Sequence, residues 1–361
     1  MMHKQPPSRG ERLAQWLTCC LALAASLPAW GGKTGEFLVF PNINAVYRDE
    51  SVDLAGHHSL PRDRTEPTVD FFYSSDFGRL RLLGEFFVSS SKNHGTHFER
   101  LEAGWRWHRA ARLWIGRFHN PVGYWNTQYH HGNYLETAVS RPAIVTYEHD
   151  GGILPLHVVG AGLEGSWPRG EGELGYDLAV GLGPEIKEHG LEALNIMDPE
   201  GNHDPVFTLR LRYQPQEDGP DQYGLFISRS AMPGRELDQV TQTMAGVYAN
   251  RQGSRLRLTG ALFGVRHEYA HLSDSRFVNG YLQAELALGM RWTVFARIEG
   301  NYGDGDDALV GEVASFVHER QLGGLRMELG QTQAIKVELS NTTYQCNHTE
   351  QVMLQWSAVI P

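Results

Sequence analysis

The sequence predicts an all-β fold, a transmembrane antiparallel β-barrel of about 16 strands, on three observations. Short runs place an apolar residue at every second position, and their other phase is rich in arginine. The connections between these runs alternate between long and short. The chain also opens with an export signal, yet the remainder holds no apolar run near the roughly 20 residues that a membrane helix needs.

The export signal comes first. Lys4, Arg9 and Arg12 precede an apolar run over 13–27, followed by Pro28, Ala29, Trp30, Gly31 and Gly32. A basic start, an apolar centre and a small-residue exit describe a secretory signal peptide over 1–31, with cleavage expected near Ala29 or Gly31, and a barrel over 32–361. Cys19 and Cys20 leave with the signal, so Cys346 is the one cysteine of the exported chain and no disulfide is expected. The formal charge is −10 for the whole sequence and becomes −12 without residues 1–32. So acidic a chain argues against a nucleic-acid partner.

Alternation then places the strands. In 204–213, Phe207, Leu209, Leu211 and Tyr213 share one face while Thr208, Arg210 and Arg212 share the other. Equivalent runs fall at 36–47, 67–76, 79–90, 97–107, 111–118, 157–167, 172–182, 222–230, 239–250, 254–266, 276–287, 291–301, 316–329, 333–342 and 350–360. Long connections at 48–66, 119–156, 183–203 and 303–315 alternate with turns of a few residues, as when one rim carries loops and the other only hairpin turns. A soluble sandwich would alternate too, but the arginine-rich phase and the aromatics ending the apolar phase suit a wet lumen and a lipid-facing wall. Gly323 and Gly324 suggest a bulge in the fourteenth strand or a separate tight loop, and 191–197 could form one short helix.

The connection over 119–156 differs from the rest. It carries four histidines and three prolines, and four aromatic rings stand in its first sixteen positions. A loop of that length is ordinarily functional or disordered, and rings with Pro and Gly-Gly punctuation favour an ordered loop packed on something.

One run in this region, Gly116-Arg117-Phe118-His119-Asn120-Pro121-Val122-Gly123-Tyr124-Trp125-Asn126, is followed by His130-His131-Gly132. With the hairpin joining Gly324-Leu325-Arg326-Met327-Glu328-Leu329 to Ala334-Ile335-Lys336-Val337-Glu338-Leu339, these residues resemble the bacterial outer-membrane porin family, in particular its phosphate-selective-porin-like branch. The resemblance implies a homotrimer in a Gram-negative outer membrane, surrounded by lipid and lipopolysaccharide. It also implies passive diffusion of small hydrophilic or anionic solutes without a cofactor, and a third long loop folded into the barrel as the constriction. Counting hairpins, that loop is 119–156. The chain departs from the pattern by ending on Pro361 without a terminal aromatic, so that Trp356 is expected to serve instead, and by its acidic balance.

Taking the polar phase as inward gives Arg79, Arg81, Arg106, Arg210, Arg212, Arg255, Arg257 and Arg297 as pore-lining residues, with Arg326 and Lys336 beside them. Glu85, Glu102, Glu299, Glu328 and Glu338 share that phase, leaving a basic excess able to attract anions or, alternatively, to brace the wall through ion pairs. Arg141, His130, His131, Glu136, His119, Tyr124 and Trp125 are the constriction candidates; as a metal site their spacing is not diagnostic. Gly303 to Asp307 reads as an acidic surface turn. No nucleophile motif is present, so no enzyme is expected. A plugged barrel serving as anchor or export component, and an outer-membrane hydrolase, are the competing readings.

Overall fold

The computed structural model describes residues 35–361 apart from 55–57, 90–95, 109, 130–131, 188–189, 198, 218, 235–236, 238, 304 and 345–346. The expected signal peptide and Cys346 lie outside the described residues.

Sixteen strands close into one barrel. They are β1 (Gly35–Arg48), β2 (Asp63–Phe77), β3 (Leu80–Ser89), β4 (Thr96–His108), β5 (Ala111–His119), β6 (His157–Arg169), β7 (Gly172–Leu182), β8 (Pro205–Gln214), β9 (Gln222–Pro233), β10 (Gln239–Gln252), β11 (Leu256–Tyr269), β12 (Ser275–Ala287), β13 (Trp292–Tyr302), β14 (Val317–Glu328), β15 (Gln333–Tyr344) and β16 (His348–Ala358). Each strand pairs antiparallel with its sequence neighbour, and β1 closes the ring on β16 from Asn42 opposite Ser357 to Arg48 opposite Gln351. Closure leaves no strand edge unpaired, the condition for crossing a hydrocarbon layer with strands.

The two phases separate as the alternation requires. On β8, Phe207 is 50 % exposed while Thr208 and Arg210 are buried within the barrel. Ile115, Leu225, Ile227, Val247, Leu262, Leu282, Ile298 and Leu339 continue the outward apolar belt, and Phe77, Trp105, Trp107, Trp167, Tyr213 and Trp292 are exposed near the short turns. An apolar band bordered by aromatics makes this a membrane-spanning barrel.

Three local expectations are corrected. β2 begins at Asp63, because Tyr47 to Asn44 of β1 pair with Asp63 to Glu66, which shortens the first loop and draws Arg64 and Glu66 into the wall. β14 runs unbroken through Gly323 and Gly324, and its irregularity lies between Val317 and Glu319. Gly324 faces Phe295, where an added Cβ would stand 2.4 Å from Phe295 Cζ, so the glycine makes room for the ring. Residues 191–197 form no helix: Gly190–Glu192 pairs with Glu185–Lys187 as a small hairpin. So short a segment cannot nucleate a helix alone, and Ile186 and Leu191 instead pack with Met232, Val240, Tyr269 and Leu309.

The interior is asymmetric. Phe226 of β9, Met244 and Tyr248 of β10, Ala261, Phe263 and Val265 of β11, and Phe277 and Tyr281 of β12 form an apolar inner wall. Residues from 119–156 pack against it, so a hydrophobic core sits inside the lumen on one side.

Candidate functional site

The loop over 119–156 is held first at its own neck. Gly116 adopts φ 136°, and a Cβ there would lie 2.1 Å from Leu101 O, so only glycine lets β5 approach β4 this closely. Asn120 Nδ2 donates to Pro155 O at 2.7 Å, and Asn126 Nδ2 donates to Asn120 O at 2.9 Å and Leu156 O at 3.2 Å. These asparagines belong to the run that carries the porin resemblance, and their work is to join the two ends of the loop. Glu148 adds a second clasp, accepting from Leu156 N at 2.7 Å and His157 N at 2.8 Å. Burial opposes its ionisation, but the adjoining His157 and these donors outweigh burial and hold the carboxyl down at about 2.

Beyond the neck the loop packs by its apolar side. Trp125, on helix α1 (Trp125–Gln128), is 1 % exposed and lies with Val122, Ile144, Ile153, Leu154 and Leu156 against the inner wall of β9 to β12. Its ring stands 4.8 Å from Tyr129 and 6.3 Å edge-on from Tyr281, with the Arg297 guanidinium 5.5 Å from its centroid.

The opposite side of the loop is polar backbone, and wall charges satisfy it. Arg297 donates to Ser140 O at 2.8 Å and Arg141 O at 2.9 Å, Arg320 donates to Arg141 O, and Arg326 donates to Tyr134 O at 2.6 Å and Glu136 O at 2.7 Å. Lys336 Nζ donates to Asn133 O and Ala138 O. Carboxylates take the donors: Glu338 accepts from Val139 N at 2.8 Å and Ser140 N at 3.3 Å, Glu299 from Ala143 N, and Glu285 from Thr137 Oγ1 at 2.7 Å. An irregular segment inside a barrel must have its backbone groups paired, and charged side chains are the strongest partners available.

A cavity of about 360 Å³ remains between the loop and the wall formed by β1 to β4 and β14 to β16. Arg48, Arg64, Arg141 and Arg320 face it, together with Glu66, Asp70, Glu99, Glu136 and Asp150, so four basic groups meet five acidic ones. The Arg141 guanidinium lies 3.7 Å over the Tyr147 ring, and its nitrogens make no hydrogen bond with a described residue. Burial raises the Glu136 carboxyl above its ordinary range against the pull of Arg141 and Lys336.

Of the constriction candidates, Arg141 and Glu136 line this cavity. Tyr124 and Trp125 are buried in the apolar core, and His119 sits at the loop neck, its ring 5.4 Å from that of His157. His130 and His131 lie outside the described residues. Among the described residues no group of three histidine, cysteine or acidic side chains is placed to hold a metal.

None of the eight pore-lining candidates borders the cavity. Arg210 donates to Asp177 at 2.8 Å and to Thr127 Oγ1 of the loop at 2.6 Å, and Arg212 also bonds Asp177. Arg257 donates to Tyr124 OH at 3.1 Å, and Arg297 secures the loop as described. Arg81 donates to Ser74 Oγ at 3.0 Å. Arg79, Arg106 and Arg255 are exposed beside the short turns. The surface turn expected up to Asp307 is corrected at that residue: Asp307 is buried, caps helix α2 (Ala308–Glu312) through Val310 N, and accepts from Tyr269 OH.

Sequence reasoning missed Arg48, Arg64, Asp70, Glu99 and Arg320, and it missed the apolar inner wall. The wall had a legible signal. Between 239 and 287 the phase opposite the lipid carries Met244, Tyr248, Ala261, Phe263, Val265, Phe277 and Tyr281, and a strand apolar on both faces is covered on both.

No family model and no curated protein matches this chain in sequence. Solved structures do match in fold. The outer membrane channel DcaP of Acinetobacter baumannii is 12 % identical, with 92 % of this chain and 99 % of that chain covered at a TM-score of 0.60. An anion-selective porin from Comamonas acidovorans is 13 % identical over 91 % and 99 %, also at 0.60. OmpF of Salmonella typhi, in complex with daunomycin, is 11 % identical over 91 % and 98 % at 0.57. The fold is that of outer-membrane channels.

Proposed function

We propose that the chain is an outer-membrane porin that lets small hydrophilic solutes diffuse through the passage beside its infolded loop. The observation that carries this reading is the mixed-charge cavity left between a firmly seated loop and the polar wall of a closed, lipid-facing barrel. The signal peptide over 1–31, contact with outer-membrane lipid and lipopolysaccharide, and a homotrimer belong to the same reading.

The anion preference expected of lumen arginines rests on Arg48, Arg64, Arg141 and Arg320, and five carboxylates face them. One fold neighbour is an anion-selective porin, which supports the preference. The balance in this passage favours weak selectivity and suits small solutes bearing both charges. The phosphate-selective branch draws its support from short motifs whose asparagines serve the loop neck.

A plugged barrel is favoured by one specific feature, the apolar core that fills one side of the lumen. A hydrolase lacks such support. Ser275, His267 and Asp307 do converge, but Ser275 Oγ and His267 Nδ1 both bond Asp307, while His267 Nε2 faces Gln242 at 2.9 Å. The histidine therefore has no hydroxyl to activate, and the three groups anchor α2.

Planar-bilayer recording of the purified protein tests the proposal. Stepwise channels with a near-zero reversal potential in a salt gradient are expected. Absence of steps would select the plugged barrel, and turnover of an ester or lipid without steps would select the hydrolase.

A further inference from the structure

We propose that His157 sets the charge that Glu99 presents to the passage, and so makes the ion preference of the channel depend on pH; this rests on the porin reading above. His157 opens β6 at the loop neck and is 2 % exposed. Its Nδ1 lies 2.8 Å from Glu148 Oε2 and its Nε2 lies 2.8 Å from Glu99 Oε2, the second contact being an ion pair off the line of a hydrogen bond. A neutral imidazole carries one N–H and can serve one carboxylate. Two carboxylates at that distance, one against each ring nitrogen, favour the imidazolium.

The two carboxylates differ in what else holds them. Glu148 also accepts two backbone N–H groups, so its charge stays supported whatever the ring does. Glu99 faces the cavity, and its other oxygen lies 2.6 Å from His97 Nε2. Facing His157 from the packed elements are Glu148 and Tyr147 of the loop, Glu99 of β4, and Arg117 and His119 of β5. Arg117 donates to the backbone oxygen of Glu99 at 3.1 Å and also to Leu194 O, so the carboxylate itself is faced by the His157 and His97 rings. Loss of the His157 proton therefore falls on Glu99. The Glu99 charge, then left to His97, faces a narrow passage with low-dielectric walls, where a single charge weighs on ion preference.

The test is the zero-current potential across planar bilayers in a potassium chloride gradient, recorded from pH 6 to pH 10 for the wild type, His157→Gln and Glu99→Gln. The wild type is expected to move toward cation preference as pH rises. His157→Gln should be shifted toward cations already at pH 6 and should converge with the wild type at the alkaline end, while Glu99→Gln should lose the part of the shift that separates those two. Coincidence of His157→Gln with the wild type at every pH, or a full shift retained in Glu99→Gln, would overturn the proposal. If His157→Gln fails to give a heat-modifiable folded barrel on a gel, Glu99→Gln against the wild type decides. A wild type that conducts no ions would sink the porin reading instead.

Discussion

Trp125→Ala is expected to unseat the infolded loop and to give larger, noisier single-channel conductance while the barrel remains folded. Trp125 is among the largest fully buried side chains and stands where the loop meets the inner wall, against Tyr129, Tyr281 and the Arg297 guanidinium. Truncating a buried tryptophan costs about 3–5 kcal/mol through lost burial and the void left behind. That cost falls on the contact between loop and wall, because the strands keep their ladder hydrogen bonds. Trp125 Nε1 also donates to Glu136 at 3.2 Å, so its loss frees a carboxyl that borders the passage. Conductance histograms and the heat-modified gel shift together read the result: a changed histogram with an unchanged shift is expected.

Arg297→Met should lower the thermal stability of the folded protein by about 3–5 kcal/mol, as when one partner is removed from a buried ion network. Arg297 is 1 % exposed and serves Gln283, Glu299, Ser140 O and Arg141 O together. Methionine fills much of the volume but leaves Ser140 O and part of the Glu299 charge without donors, while Arg141 O keeps Arg320. Glu299 keeps Arg320 and Ala143 N, so adding Glu299→Gln to Arg297→Met should recover part of the loss by removing the stranded charge. Calorimetry of the single and double variants in detergent checks both statements. A double variant with the two losses simply added would show that the residues act independently.

Both variants bear on the boundary between what the sequence makes legible and what it does not. The barrel was legible because lipid enforces the outward phase: Phe207, Leu225, Ile227 and Leu262 had no alternative to being apolar. The inward phase is under no such uniform demand. Arg210, Arg257 and Arg297 sit inward as their phase requires, yet whether an inward arginine meets water or a loop carbonyl depends on where 119–156 lies, and no periodicity encodes that. The loop was recognisable by its rings and its place among the hairpins, while its orientation follows from Phe226, Phe263 and Tyr281, which lie more than sixty residues further along the chain. Glu99 escaped notice because the register shift between β3 and β4 puts it outside strict alternation.

In the proposed porin the loop fills one side of the lumen and leaves solutes a narrowed passage on the other. Liposome swelling with a size series of neutral sugars, comparing the wild type with a variant lacking 126–138, tests it most directly. The deletion removes α1 beyond Trp125 and the stretch held by Arg326 and Lys336 at its backbone and by Glu285 at the Thr137 hydroxyl, so it should admit larger sugars and swell faster with small ones. An unchanged size limit and unchanged rates would contradict the account, because the loop would then not be what narrows the barrel.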